Sequence, residues 1–391
     1  MNNLQMAFES WKIWLIIAIM PIGGFAIDIY TPSLPVITHF FDATHVQGKL
    51  TLAIFLFGFG VGQLFVGPLS DRFGRKIVLT TSLLMFSLFS IVAIYSPSIH
   101  ILLLVRLLQG LTVSGQILNV RAIAADVFRT KDLRRISVYI TTAWAISPVI
   151  GPVIGGYLQT YIGWHAGFYF LALYAFICFI LILTFIPETH AHKQSLKLIN
   201  LLKNYREVAV DRVFLKNTLG LMLTFSAINV FNVLGPFIIQ IDLRYSPLTY
   251  GHIALVIGII GFVGSFTNRF LIKHHSITAI IRFCILLMLL TSIGSFIIGM
   301  FVGFTVWMVC LPAALMLYAC MMVYPNFSAN CSSMFKHIAG TAAAYRGVVN
   351  IAGCSLFMAL ISLLPLTSVL IFLVIYIVLS CLLFISSVLC L

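Results

Sequence analysis

Apolar stretches of membrane-crossing length succeed one another along nearly the whole chain, at about 12–36, 50–69, 77–95, 100–123, 137–158, 166–187, 216–239, 250–268, 280–302, 304–325, 339–363 and 367–390. A helix rising 1.5 Å per residue needs roughly 20 such residues to cross a hydrocarbon core. Twelve crossings with short loops use up almost all of the 391 residues and leave little for a separate soluble domain. The runs are continuous rather than alternating with a period of two, which argues against an outer-membrane barrel. With 61% hydrophobic and 8% charged residues, the chain also lacks the polar surface of a water-soluble globule. The expected fold is an all-α membrane protein with twelve transmembrane helices in a lipid bilayer.

Met1 to Trp11 is polar for longer than a leader peptide allows, and the span after it offers no small-residue cleavage site, so the first run is expected to stay as a helix. Eight cysteines lie in or beside apolar runs without a C-x-x-C pair, which suits buried free thiols. The net charge of +13 could suggest nucleic acid. Lys and Arg instead cluster in every second loop, as an orientation signal does, and no nucleic-acid partner is expected. With the N-terminus inside, inner segments carry clusters such as Arg72, Arg75 and Lys76, while outer segments hold only Lys49 and Arg244. This bias places both termini in the cytoplasm. Arg106, Arg121 and Arg346 fall within expected helices.

The long connection at 188–215 is basic and places Leu196, Leu198, Ile199, Leu201 and Leu202 at near-helical spacing, as an amphipathic surface helix would. It divides the chain into a six-helix bundle at 1–187 and another at 216–391. The halves echo each other. Gly67, Asp71, Arg72, Phe73 and Lys76 after helix 2 match Gly264, Asn268, Arg269, Phe270 and Lys273 after helix 8 without a gap. Parallel six-helix repeats of a transporter leave such a trace and place a binding site between them near mid-membrane.

No metal-ligand cluster, Walker loop or nucleophile elbow is present, so neither enzyme chemistry nor a cofactor or metal is expected. Uphill transport then needs an ion gradient, and proton carriage needs an ionisable group within the membrane. Of ten acidic residues, only Asp28 lies inside an apolar run. A buried carboxylate is costly unless paired or protonated, which suits a proton carrier; a packing aspartate is the rival reading. Arg106 falls at a similar depth, about six residues below the outer end of helix 4 against eight for Asp28 in helix 1. It is expected either to pair with Asp28 or to bond backbone carbonyls of helix 1.

The stretch from Gly67 through Asp71, Arg72, Gly74, Arg75 and Lys76 resembles the loop 2–3 signature of the major facilitator superfamily, and Arg106, Gln109 and Gly110 resemble its helix 4 motif. Gly151, Pro152, Gly155 and Gly156 resemble the antiporter motif of the drug:proton exporter branch. Asp28, Tyr30, Pro32, Pro35, Trp164, Phe168 and the Pro187, Glu188, Thr189 stretch are similar to the Bcr/CflA multidrug exporters. The resemblance is fullest in the N-terminal half. It implies two pseudo-symmetric six-helix bundles, the major facilitator fold, working as a proton antiporter of the bacterial inner membrane by alternating access.

The residues allow physical readings beside that resemblance. Gly67, Pro68 and Gly74 would permit a tight turn, while Asp71, Arg72, Arg75 and Lys76 could bridge to Asp126 or to the other half as an inner-face gate. A basic loop that only sets topology is the alternative. Gly151, Gly155 and Gly156, with Pro152 distorting the ladder, would let helix 5 approach a neighbour closely, either to pivot or simply to pack.

Tyr30, Asn119, Asn229, Asn232, Tyr318, Tyr324, Tyr345 and Asn350 are candidates for a cavity wall, or for hydrogen bonds between helices. Arg346 departs from the family pattern. Facing the cavity, it would favour an anion; otherwise it would snorkel outward or join the Asp71 gate. The chain is expected to act as a monomer on small molecules and protons, exporting amphipathic compounds or drugs. The alternatives are a carrier of an endogenous organic anion such as a siderophore, and a transporter-like receptor or scaffold without net flux.

Overall fold

The computed structural model describes residues 11–128, 130–190, 205–335, 338–364 and 368–390. Among them all regular structure is helical, and twelve helices are long and apolar enough to cross a membrane. They are α1 (Lys12–Phe40), α2 (His45–Phe73), α3 (Arg75–Ile94), α4 (Ile99–Val127), α5 (Thr130–Tyr161), α6 (His165–Phe185), α7 (Arg212–Phe237), α8 (Pro247–Leu271), α9 (Ile277–Val302), α10 (Trp307–Met334), α11 (Ala339–Ser362) and α12 (Val369–Cys390). The apolar turns expected around Leu196 to Leu202 lie outside the described residues.

Local chemistry sets many of the helix starts. At α2 the Thr44 side chain accepts the Gln47 N–H while the Gln47 side chain accepts the Thr44 N–H, a reciprocal capping box. Ser98, Asp211, Ser246 and Ser276 accept one N–H each at the starts of α4, α7, α8 and α9.

Prolines shape α1 more than any other helix. It runs as Lys12–Ile17, Pro21–Asp28, a single 3₁₀ turn Thr31–Ser33, and Leu34–Phe40. Pro21, Pro32 and Pro35 have no N–H to offer the preceding turn. In a regular helix the Asp28 carbonyl would accept from residue 32. That residue is proline, and the Thr31 hydroxyl donates instead at 2.9 Å. The backbone is therefore broken immediately beyond Asp28.

The expected turn at Gly67 and Pro68 is not formed there. Both sit inside α2, which tolerates Pro68 and runs on to Phe73. Gly74 alone makes the turn into α3, at φ +108°, where a side chain would be strained.

Helices α1–α6 and α7–α12 form two bundles with matching internal contacts: α2 on α4, α3 on α4 and α3 on α6 recur as α8 on α10, α9 on α10 and α9 on α12. The bundles meet where α2 packs on α11 and α5 on α8, two seams related by the same repeat. Backbones come close there: a Cβ on Gly258 would lie 2.9 Å from the Pro148 carbonyl oxygen, and one on Gly60 would overlap the Ala352 backbone. Across the contact between bundles, the Lys49 ammonium donates to the Leu364 carbonyl at 2.8 Å, Ser355 to the Ala53 carbonyl at 2.7 Å and Gln240 to the Pro32 carbonyl at 3.0 Å. These ties lie in the middle and outer thirds, taking the outer face as the one bearing Phe40 and His45. Away from the seams, exposed apolar side chains such as Leu173, Ile177, Phe266 and Phe283 present the kind of surface that lipid solvates.

Candidate functional site

Asp28 ends the second segment of α1 and is buried. Its Oδ2 accepts from the Ser147 hydroxyl of α5 at 2.7 Å, and its Oδ1 accepts from Nδ2 of Asn232 of α7 at 3.3 Å. One carboxyl group is thus held by both bundles. From Asp28 to Phe40 the helical rise is roughly 18 Å at 1.5 Å per residue, so the group lies near mid-membrane and deeper than the sequence reading placed it. Among the described residues no cationic side chain pairs with it. Two neutral donors offset part of the cost of a buried anion, and a proton would remove the rest.

The expected pair between Asp28 and Arg106 does not form. Fully buried Arg106 donates from Nη2 to the Ala26 carbonyl at 2.9 Å and from Nη1 to Gln109 Oε1 at 3.0 Å; Gln109 in turn donates to Ser90 Oγ at 2.9 Å. The guanidinium carbon lies 4.5 Å from the Tyr30 ring centroid and 4.3 Å from that of Phe55. Height along α1 was the right clue and rotation the missing one. Side chains two positions apart leave a helix on different sides, so Tyr30 meets Arg106 while Asp28 faces α5 and α7. Arg106 therefore bonds a helix 1 carbonyl, the alternative the sequence left open, and its contacts tie α4 to α1.

The helix 5 glycines pack against this segment. A Cβ on Gly151 would lie 2.6 Å from the Asp28 Cβ, and one on Gly155 would overlap the Ile29 backbone. Gly156 faces the other bundle, 2.9 Å from the Pro247 carbonyl oxygen by the same measure, and Gly251 of α8 approaches the Pro152 carbonyl at 2.7 Å. So α5 is pressed between α1 and α8, and a shift of either reaches the Asp28 carboxyl.

At the predicted inner face, Arg75 pairs with Asp71 at 2.7 Å and with Asp126 at 3.4 Å, and it donates to Ser70 Oγ at 3.0 Å. Glu188, beyond α6, accepts the N–H groups of Arg75 and Lys76 at 2.9 and 3.2 Å and so caps α3. Thr189 donates to Asp126 at 3.3 Å. The Arg72 guanidinium lies over the Phe73 ring. These bonds connect α2, α3, α4 and the end of α6, all in the first bundle, rather than bridging the two halves. A Cβ on Gly67 would meet nothing within 4 Å, and one on Gly74 would strike the Glu188 carboxylate.

The candidate cavity residues divide. Asn232 lines a small cavity of ≈ 30 Å³ between α5, α7, α8, α10 and α12, with Pro148, Pro152, Phe231, Leu317 and Tyr376 among its walls. Tyr30 is buried, donates to Thr51 at 2.9 Å and borders a narrow cleft with Trp164 and Phe168. Asn119 is consumed by packing, accepting from Ser70 and donating to the Gly115 carbonyl, and Asn229 returns to the Phe225 carbonyl at 2.9 Å. Tyr318 is partly buried, its backbone against Gly264, and Tyr345 lies against Phe214. Asn350 donates to the Tyr324 hydroxyl at 2.9 Å, and Arg346 donates to the carbonyl and hydroxyl of Ser328 at 3.1 Å each. Arg346 joins neither the Asp71 cluster nor Asp28.

Sequence reading missed Ser147 as a partner of Asp28, although its position four residues before Gly151 sets it on the same helix face. The capping role of Glu188 was also missed. Its only signal was an acid placed just beyond an apolar run.

A profile of the Major Facilitator Superfamily matches residues 14–358. A multidrug resistance protein D of Escherichia coli is 24% identical over 354 residues, covering 90% of this chain and 89% of that protein. A bicyclomycin resistance protein homolog of Haemophilus influenzae is 29% identical over 198 residues, 51% of this chain and 49% of that one. The chain spans less than two thirds of the length of the first curated relatives it matches, at 65, 49 and 42%. Among solved structures, a D-xylose-proton symporter superposes with a TM-score of 0.74 at 14% identity, covering 96% of this chain and 97% of that one. This likeness is one of fold.

Proposed function

Because the chain belongs to the Major Facilitator Superfamily, with a match over residues 14–358, and is on that ground a multi-pass membrane transporter rather than an enzyme, we propose that it exports small amphipathic organic compounds in exchange for protons. The observation that carries the coupling is the Asp28 carboxyl, buried near mid-membrane and bonded to Ser147 in one bundle and Asn232 in the other. Rocking the bundles apart withdraws the Asn232 donor, and a carboxylate that loses a donor in a low-dielectric site gains by taking a proton. Proton uptake and bundle position are linked through that one group.

Alternating access then runs through the α2–α11 and α5–α8 seams, with Gly151, Gly155 and Gly156 transmitting motion to Asp28. The Arg75 cluster keeps the inner ends of α2, α3 and α4 moving as one body. Relatives named for multidrug and bicyclomycin resistance support an amphipathic cargo. The protein works as a monomer in a bacterial inner membrane with both termini in the cytoplasm. Its bundles are 1–187 and 216–391, joined by the linker 188–215.

Proteoliposomes with an imposed pH gradient test this. Asp28→Asn keeps both neighbours and nearly the same shape, so folding should persist while gradient-driven accumulation is lost. Uphill exchange by that variant at the wild-type proton ratio would refute the assignment.

A further inference from the structure

We infer that Arg121 of α4 and Arg346 of α11, one from each bundle, form a binding site for the anionic group of the transported compound, with a carboxylate as the fitting chemistry. This rests on the reading of the chain as an exporter and specifies which cargo it takes. Arg121 is a residue the sequence placed within a helix and assigned no role.

The two side chains share a depth. Arg121 precedes the inner end of α4 at Val127, and Arg346 follows the inner end of α11 at Ala339, by about 9 and 10 Å of helical rise. Ser328, which accepts from Arg346 through both its carbonyl and its hydroxyl, stands about 9 Å from the inner end of α10 at Met334. The Arg346 guanidinium is thereby anchored at that level. Arg121 is exposed, although protein atoms stand around its guanidinium. The ionisable groups that bear on it are the neutral Tyr324 phenol and the Arg346 guanidinium, both from the other bundle, and no carboxylate is among them.

Among the described residues the Arg121 guanidinium makes no hydrogen bond or ion pair. Asp126, farther along the same helix, is engaged by Arg75 and Thr189. Two guanidinium groups at one depth and near enough to act on each other repel, and an anion between them converts that cost into two attractions. Each planar guanidinium can hold a carboxylate through two parallel bonds. Tyr324, beside Phe225 at a centroid distance of 6.4 Å, supplies an aromatic wall for the body of such a molecule. Asn350 donates to the Tyr324 hydroxyl and keeps its own Oδ1 without a partner, so it is placed to accept from a cargo N–H or O–H. An anion held by one arginine of each bundle would sense how far apart the inner halves stand.

The test compares 2-naphthoate with its neutral isostere 2-naphthamide, by calorimetry on the full chain in phosphatidylcholine nanodiscs without a pH gradient. The naphthoate should bind at least about tenfold more tightly. Arg121→Gln and Arg346→Gln should each weaken naphthoate about tenfold or more and naphthamide less than twofold, with Arg121→Lys intermediate. No preference for the carboxylate in the wild type, including no binding of either probe, would overturn the inference. So would an equal loss of both probes in the variants, or displacement of naphthoate by phosphatidylglycerol added to the discs, which would make the site one for a lipid headgroup. Because no gradient is used, a failure here is distinct from a failure of proton coupling at Asp28.

Discussion

Gly151 and Asp28 occupy adjoining space: the Cβ that Gly151 lacks would stand 2.6 Å from the Cβ of Asp28. Gly151→Ala must therefore push α1 from α5 and strain the 2.7 Å bond from Ser147. Overpacking of this kind costs ~1–3 kcal/mol. A lowered Tm together with at least a tenfold loss of exchange is expected, and Gly67→Ala, where a Cβ meets open space, serves as the neutral control. Equal exchange by the two variants would show that the α1–α5 contact does not govern transport.

Arg106 and Asp28 should fail in different ways. Arg106→Leu leaves the Gln109 side chain and the Ala26 carbonyl without their donor in a fully buried site, at ~1–3 kcal/mol for each unsatisfied group. Thermal unfolding in detergent should register a large drop for Arg106→Leu and a smaller one for Arg106→Lys, whose single ammonium cannot serve both acceptors and two rings. Asp28→Asn should change Tm little. A stable Arg106→Leu protein that transports without coupling would instead place Arg106 in the proton path.

Glu188 and Gly74 form one joint. Glu188→Ala removes two cap bonds from the start of α3 and should cost about 1 kcal/mol. Gly74→Ala is strained at φ +108° and also meets the Glu188 carboxylate. With Glu188→Ala already present, the clash part of the Gly74→Ala penalty disappears, so the double variant should be more stable than the sum of the two singles. A chemical-unfolding cycle measures this, and strict additivity would contradict the contact.

Lys49 ties the start of α2 to the chain just beyond α11. Its ammonium donates to the Leu364 carbonyl near the end of α11, and a charge-assisted bond of this kind is worth ~1.5–3 kcal/mol. Lys49→Met should favour the outward-open state. Spin labels at His45 and Ser368 in a cysteine-depleted background would then gain a longer distance component. An unchanged distribution would mean that the α2–α11 seam is closed by packing alone.

Much of the architecture is legible in one dimension, because a bilayer punishes any backbone that is not internally bonded and so turns each apolar run of sufficient length into a helix. The twelve spans, the membrane solvent and the repeat around Gly67 and Gly264 follow from residue order. Helix ends were less legible: α2 begins at His45 and ends at Phe73, well beyond its apolar run, because Thr44 caps it and Pro68 does not stop it.

The lone acid could also be picked out by sequence, since burial of Asp28 follows from its apolar surroundings. Its partners could not. Whether Arg106 reaches Asp28 or Ala26 depends on helix rotation about the Pro32 break, and whether Asn229 or Asn232 faces the carboxyl depends on the phase of α7 against α1. How near Arg121 of α4 stands to Arg346 of α11 depends on the packing of α2 against both helices, which no local spacing encodes. Sequence determines which residues lipid forces into helices and which polar groups are thereby trapped. Only the packing of one bundle on the other decides which trapped groups can touch, because that choice turns on relative rotation and height summed over many weak contacts.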